Sequence, residues 1–239
     1  MDSGVLFWPA CWIAAYLVGA IPFGLLLGLT RGVDIREHGS GNIGATNLLR
    51  VCGKAIGLTG FFLDLAKGLA PVVLSGILSG LLTDDTATAA RNAAWLAVGA
   101  AAMLGHLFPV YLRFKGGKGV ATGLGMLLGF FPWTTAPALA ALAVWIATAK
   151  RTRYVSVASM TAAAALPIAA SAQLAIFDDP QAAFAKGWPF PAGTVLLAAM
   201  VIIKHRNNIH RLREGTESKI GSKAPAAPPR TIREPPASR

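Results

Sequence analysis

The chain has 239 residues, of which 54% are hydrophobic and only 14% charged. A soluble domain carries about a quarter charged residues. Here the apolar residues also come in long runs, which excludes an ordinary soluble fold and gives an all-α polytopic membrane protein. The net charge of +11 invites a nucleic-acid reading, but the basic residues sit between apolar runs and in a C-terminal tail, where a bilayer uses them. No nucleic-acid partner is expected.

In chain order, Met1-Asp2-Ser3-Gly4 lacks the basic start of a cleavable signal, so run 5–29 reads as a retained anchor. It contains Pro22 and several glycines, which membrane helices tolerate. A polar, glycine-rich segment follows to residue 54, with its loop at 38–54. Runs 55–82 and about 93–112 come next. Stretch 120–149 is ambiguous, because as one helix it would reach ~45 Å, long for one span and short for two. Phe131-Pro132-Trp133 in its middle is a plausible tight turn. Runs 155–176 and 190–203 complete the set. Cys11 lies inside the first run and Cys52 beyond it, on different levels of the membrane, so no disulfide is expected.

Charge resolves the ambiguity. Cytoplasmic loops concentrate lysine and arginine. Basic loops lie at 113–118 (Arg113, Lys115, Lys118) and 150–153 (Lys150, Arg151, Arg153). Both belong inside, so an even number of spans separates them, and 120–131 and 134–149 become two short helices. The expectation is seven transmembrane helices, N-terminus out and C-terminus cytoplasmic. Of the 22 lysines and arginines, the outside loops then hold only Arg91 and Lys186, and one more, Lys67, lies within a span. Asp84, Asp85, Asp178 and Asp179 fall outside. Residues 1–219 read as a single integral-membrane domain. Residues 220–239, rich in proline, alanine and charge, read as a disordered basic tail near anionic lipid.

Three polar segments then share the cytoplasmic face. The first has Gly39, Gly41 and Gly44 close together, with Ser40, Asn42, Thr46 and Asn47 among them and Arg50 behind. Backbone N–H groups plus an arginine fork suit a phosphate. The segment matches G-x-G-x-x-G, a weak signal without a preceding strand; a plain turn would not need so many amide and hydroxyl side chains. The second is Lys115-Gly116-Gly117-Lys118-Gly119, a second anion loop that opens into a helix N-terminus. An ordinary inside loop needs its lysines but not three glycines. The third is 204–217, where His205, Asn208 and Leu212 would share a face if helical; Arg206 adds a cation. A lipid-binding basic patch is the plainer account of that segment, and a packed histidine the plainer account of His106. Within the second span, Asp64 and Lys67 stand at i, i+3 and can pair, either as a structural pair or as a functional one. No cluster has metal-ligand spacing, and no cofactor is expected.

These residues resemble the bacterial acyl-phosphate:glycerol-3-phosphate acyltransferase family (PlsY). The resemblance rests on Gly-Ser-Gly-Asn-Ile-Gly-Ala-Thr-Asn-Leu-Leu-Arg at 39–50, Phe-Leu-Asp-Leu-Ala-Lys-Gly at 62–68 and Gly-His-Leu-Phe-Pro-Val at 105–110. It continues through Phe-Lys-Gly-Gly-Lys-Gly-Val-Ala-Thr at 114–122, Arg-Tyr-Val-Ser-Val-Ala-Ser at 153–159 and His-Arg-Asn-Asn-Ile-His-Arg-Leu at 205–212. It covers about 5–217 and includes the seven-span plan. It implies transfer of a fatty acyl group from acyl phosphate to the 1-hydroxyl of sn-glycerol 3-phosphate, giving lysophosphatidic acid and inorganic phosphate, the first step of phospholipid synthesis. The implied partners are those two substrates, membrane lipid and an upstream enzyme that forms acyl phosphate; the implied place is the bacterial inner membrane. The family's site residues fall on Ser40, Arg50, Lys118, His205 and Asn208.

From the residue chemistry, catalysis of so activated a donor is mostly positioning and charge stabilisation. The expected site has Ser40, Lys118, His205 and Asn208 in catalytic roles. Gly41, Asn42, Gly44, Thr46, Asn47, Arg50, Gly116, Gly117, Gly119 and Arg206 bind substrate phosphate. His205 is a general-base candidate; a substrate phosphate oxygen is the rival proton acceptor. An anion transporter would spread polar residues through the spans and both faces, and a lipid-binding scaffold would not need the glycine loops.

Overall fold

The computed structural model describes residues 4–82 and 87–222. Asp84, Asp85 and residues 223–239 of the expected tail lie outside the described residues. Within them the architecture is entirely helical, with no strand. The first run is broken: α1 (Gly4–Ala20) ends before Pro22, and α2 (Phe23–Leu29) restarts after it, because proline has no N–H for the preceding turn. Then come α3 (Ala45–Cys52), α4 (Lys54–Leu78) and α5 (Ala89–Leu107), followed by a 3-10 turn at Val110–Leu112. The chain continues with α6 (Val120–Gly129), α7 (Thr135–Thr152), α8 (Val155–Ala175), α9 (Pro180–Gly187), α10 (Pro189–Lys204) and α11 (Arg206–Arg213).

Four stretches are long and apolar enough to cross a bilayer, namely Leu6–Leu29, Lys54–Leu78, Ala89–Leu112 and Val155–Ala175. α9 and α10 together make a fifth, bent by 53°. The ambiguous stretch 120–149 is two helices, parted by a turn through Phe131-Pro132-Trp133. α6 has 10 residues, and so spans only ~15 Å of a ~30 Å hydrocarbon core.

Small residues let the helices approach. Gly19 of α1 lies against the backbone of Ala102 in α5, and Gly105 of α5 against that of Tyr16. Gly68 and Gly125 do the same between α4 and α6, at Thr122 and Leu65. Such seams are how helices associate where burial from water supplies no drive. An aromatic cluster fills the far end of the bundle: Trp95, Phe130 and Phe190 are fully buried, with Trp133 stacked on Phe190 at 5.5 Å. The Trp95 indole donates to the Val72 carbonyl at 2.8 Å. Large apolar side chains such as Leu6, Phe62, Leu74, Ile168 and Leu196 point outward, as a lipid-facing belt does. Cys11 and Cys52 are both free thiols.

Two helices depart from expectation. The second half of the 38–54 loop is α3. The Asn42 side chain accepts from Gly44 N–H at 2.9 Å, which ends the loop just where α3 begins, and Leu48 is fully buried on its inner face. α9 replaces an expected outside loop. Asp179 caps it, accepting from Ala182 N–H at 3.0 Å, with Pro180 as the first helical residue, a standard helix start.

Candidate active site

The first loop is shaped from within by Asn47. Its Nδ2 donates to the carbonyls of Ile35 (2.9 Å) and His38 (3.0 Å), and its Oδ1 accepts from Ser40 N–H (2.9 Å). All three bonds run into the loop, and the residue is 2% exposed. Asn47 is therefore a brace for the loop rather than a free phosphate ligand, which corrects the expectation. Gly39 and Gly41 are left-handed, at φ 60° and 68°, where glycine carries no Cβ penalty. Gly44 is extended and needs its small size instead, since a Cβ would meet the Asn42 oxygen at 2.9 Å. Ser40, Gly41 and Thr46 are exposed.

The second loop packs on the end of α5. Gly117 N–H donates to the His106 carbonyl at 3.1 Å. Gly119, at φ 78°, precedes the first residue of α6, so the anion loop does open into a helix start. Lys118 stands between Gly117 and Gly119, half-buried.

The third segment is not one continuous helix. The chain breaks at His205, the last cap of α10 and the first of α11. His205, Asn208 and Leu212 are thus not on one helical face as expected. The break still brings His205 and Asn208 inward, at 2% and 5% exposure. Nδ1 of His205 lies 2.7 Å from the Val201 carbonyl; as the donor to that carbonyl it leaves Nε2 as the acceptor. Burial, then the nearby Lys118 charge, pushes the imidazole down to about 4, so it is neutral at physiological pH.

The centre of the cluster is Glu217, which sequence reasoning missed. Its Oε1 accepts from Asn208 Nδ2 (2.6 Å) and from Ser156 Oγ (2.7 Å), and its Oε2 from Arg211 Nε (2.7 Å). This fixes the Asn208 amide with its oxygen toward Lys118, whose ammonium donates to it at 2.6 Å. Burial pushes the Glu217 carboxyl up, but the bonds from Asn208, Ser156 and Arg211 outweigh it and hold it below the usual range. Burial lowers Lys118 to about 8, with Glu217 opposing and Arg211 and Arg50 adding to the fall. Arg50, on α3, is also lowered by burial and feels the charges of Glu217 and Arg211. Three separate stretches of chain therefore meet where α10 ends and α6 and α8 begin, with Arg50 of α3 within reach of their charges. The segment after α11 is pinned there by a pair of backbone-directed bonds: Ile220 N–H to the Arg153 carbonyl (2.7 Å), and Arg153 Nη2 to the Ile220 carbonyl (2.9 Å).

The structure brings Lys118, His205 and Asn208 to one place with Glu217, Ser156 and Arg211, and puts Arg50 within reach of their charges. Ser40 stays on the first loop with its backbone tied to Asn47. Arg206 is exposed and its charge is felt by Lys204 rather than by the cluster. Asp64 and Lys67 do pair, at 2.8 Å. Among the described residues no group of His, Cys, Asp and Glu could hold a metal ion.

A multi-helix membrane protein with cations and a braced amide gathered at one end of its bundle defines the class: an integral membrane protein with a polar site at the bundle end. The model of the glycerol-3-phosphate acyltransferase family matches residues 9–215, and the chain belongs to that family. It is 46% identical over 207 residues to a glycerol-3-phosphate acyltransferase of Geotalea daltonii, covering 86% of this chain and 94% of that protein. It is 47% identical over 220 residues to one of Trichlorobacter lovleyi, covering 92% and 99%. Among solved structures it resembles PlsY (YgiH), an integral membrane glycerol 3-phosphate acyltransferase, in its glycerol 3-phosphate form. The TM-score there is 0.73 and the identity 36%, over 90% of this chain and 96% of that one. The lysophosphatidic acid form gives 0.71 at the same identity.

Proposed function

We propose that this chain transfers a fatty acyl group from acyl phosphate to the 1-hydroxyl of sn-glycerol 3-phosphate, releasing lysophosphatidic acid and inorganic phosphate. The observation that carries the reading is a pair of half-buried cations from different segments: Lys118 bonded to the Asn208–Glu217 brace, and Arg50 of α3 within reach of its charge. Two phosphorylated substrates need two such cations. Arg50 holds the glycerol phosphate through its planar fork. Lys118 and the N–H groups of 116–119 hold the acyl phosphate, with its chain along the apolar helix faces. Ser40 positions a substrate oxygen from the first loop.

The hydroxyl oxygen attacks the acyl carbonyl carbon, the carbon–oxygen bond to phosphate breaks, and phosphate leaves with the electron pair. Charge grows on the leaving phosphate, beside Lys118, where a fixed cation stabilises it best. The hydroxyl proton passes to a phosphate oxygen. A phosphomonoester has a second pKa of about 6 in solution, whereas burial and the Lys118 charge push the His205 imidazole down, which favours the phosphate as acceptor. His205 stays neutral within range of the Lys118 charge, its Nδ1 held at the Val201 carbonyl. The wider reading places seven spans in the bacterial inner membrane, N-terminus outside, with the site facing the cytoplasm and one domain over 1–219. The basic loops at 113–118 and 150–153 support that orientation.

The test is direct. Purified protein in detergent is given acyl phosphate and glycerol 3-phosphate, and phosphate and lysophosphatidic acid are measured together in equal amounts. Turnover with a thioester donor but not with acyl phosphate would overturn the donor assignment. Anion flux into proteoliposomes without turnover would overturn the enzyme reading.

A further inference from the structure

The proposed reaction makes no use of the most deeply buried charges in the chain. Asp64 and Lys67 of α4 are 2% and 4% exposed, with Lys67 Nζ 2.8 Å from Asp64 Oδ1. Ionised groups within a span are costly and default to a function, and such a pair adds little stability over well-packed apolar residues. What Lys67 reaches is the break in the first span. Pro22 has no N–H, so the Val18 carbonyl accepts from Ile21 N–H instead, at 3.2 Å. The Ile21 carbonyl accepts from Lys67 Nζ at 2.7 Å and from Phe23 N–H at 3.1 Å. The ammonium also lies 5.7 Å from the Phe23 ring centre, within cation–π range. One side chain thus holds both sides of the break.

The first loop rests on α2, the helix that restarts there. α2 has 7 residues, too few to hold a helix by themselves. Gly24 lies against the loop backbone: a Cβ there would collide with the Ile43 carbonyl. The Gly28 carbonyl accepts from Val33 N–H at 3.0 Å, and Leu25 packs in one buried cluster with Ile35, Ile43 and Leu48. At the other end of the loop α3 sits directly on α4, with Gly57 against Leu49 and Gly60 against Leu48. The loop that carries Ser40 is therefore strung between two short helices, both seated on α4. α3 is seated through these glycine contacts, and α2 through Leu27 beside Gly60 and the Lys67 bond at its start.

We propose that the Asp64–Lys67 pair is a latch on the broken first span: it fixes where α2 starts, and through α2 the place of the 38–44 loop that presents Ser40. Lys67 makes the contact with Ile21, and Asp64 holds the buried ammonium in place to make it. Both are positioning residues, acting on the site through the backbone of α2. The kinetic consequence rests on the proposed transfer reaction; the structural one, a first loop that loosens when the latch is removed, rests on the fold alone.

The experiment compares wild type in detergent with an apolar pair, Asp64→Leu/Lys67→Met, with Gly24→Ala and with the variant that combines all three. Apolar residues of similar volume replace a buried ion pair without loss of stability, so the apolar pair is expected to keep its Tm. Amide hydrogen exchange is followed over 38–44 and over α8, and phosphate release from acyl phosphate with glycerol 3-phosphate is measured on the same samples. Exchange over 38–44 is expected to quicken ~10-fold through local opening, with α8 unchanged. Since a 1 Å misplacement can cost on the order of 10²-fold, a fall of ~10-fold or more in kcat/KM is expected alongside. Gly24→Ala disturbs the same seat from the loop side and is expected to show the same pattern. The combined variant is expected to lose far less than the product of the two losses, because both act on one element. Unchanged exchange over 38–44 in the apolar pair would overturn the proposal, as would an equal rise over α8 or losses that multiply. Should the apolar pair fail to accumulate, unchanged 38–44 exchange in Gly24→Ala would overturn it as well. If wild type does not turn over acyl phosphate, the proposed reaction fails, and the exchange comparison still decides the latch.

Discussion

Glu217→Gln tests how the site is charged. The carboxylate accepts from Asn208 and Ser156 on one oxygen and from Arg211 on the other. Glutamine keeps the first oxygen but presents an NH₂ group to Arg211, donor against donor, so one charge-assisted bond is lost. Such bonds contribute ~1.5–3 kcal/mol, and because the Arg211 side chain is 34% exposed, the lower end applies after screening. The larger signature is electrostatic. Glu217 opposes the depression of Lys118 through the Asn208 bridge, whose two bonds are 2.6 Å each; with the amide between them the charges stand roughly 7 Å apart, worth ~2.4 kcal/mol at an effective dielectric of about 20 and roughly half that for a partly exposed cation. At 1.36 kcal/mol per pKa unit, removal should lower Lys118 by about one unit. Lys118 is cationic below about 8 and loses its proton as pH rises through that value. The alkaline fall in kcat/KM for acyl phosphate, near pH 8 in wild type, should therefore move toward pH 7 in Glu217→Gln. The assay is a pH series of phosphate release at limiting acyl phosphate. A variant of reduced activity whose alkaline limb stays in place would refute the coupling and leave Glu217 as a mechanical prop.

Lys118→Arg should abolish the same limb, since guanidinium stays charged above pH 12; an unchanged limb in a variant with measurable turnover would assign it to another group. Arg50→Lys should lose most activity while keeping its charge, because a two-pronged fork becomes a point charge, and wild-type turnover would sink the assignment of the glycerol phosphate to Arg50. Asn47→Ala leaves Ser40 N–H and the Ile35 and His38 carbonyls without their partner. It should destabilise the protein by ~2–4 kcal/mol, read as a lower Tm in detergent, and an unchanged Tm would show that the loop does not depend on this brace.

Much of the helical plan was legible. Long apolar runs gave α4, α5, α8 and α10 within a few residues and the first run as one piece where the chain makes α1 and α2, and the charge rule split 120–149 where the chain does turn. α5 starts earlier than its apolar run because Thr88 caps it, accepting from Arg91 N–H at 3.3 Å, and a cap is a local signal that hydropathy overlooks. α3 was hidden for the opposite reason: its polar residues looked like loop, although Leu48 and the Asn42 turn mark an amphipathic helix. In the site, Arg50, Lys118, His205 and Asn208 could be named because each lies in a dense polar motif. Glu217 could not, being one of two acids, with Glu214, in a basic stretch, and its partners come from α8 and α11. Ser156 sits in a motif quoted for its resemblance, yet nothing in its spacing points to a carboxylate 61 positions away. Asn47 was misread because an amide that shapes a loop and one that binds a ligand look alike in sequence.

The strap from Glu217 to Ile220 has a practical side for anyone handling the protein. A cleavage site or stop codon placed before residue 217 would strip the carboxylate from the cluster and leave Asn208 free to turn its amide away from Lys118. A purification tag joined beyond Ser222 would leave that clasp closed.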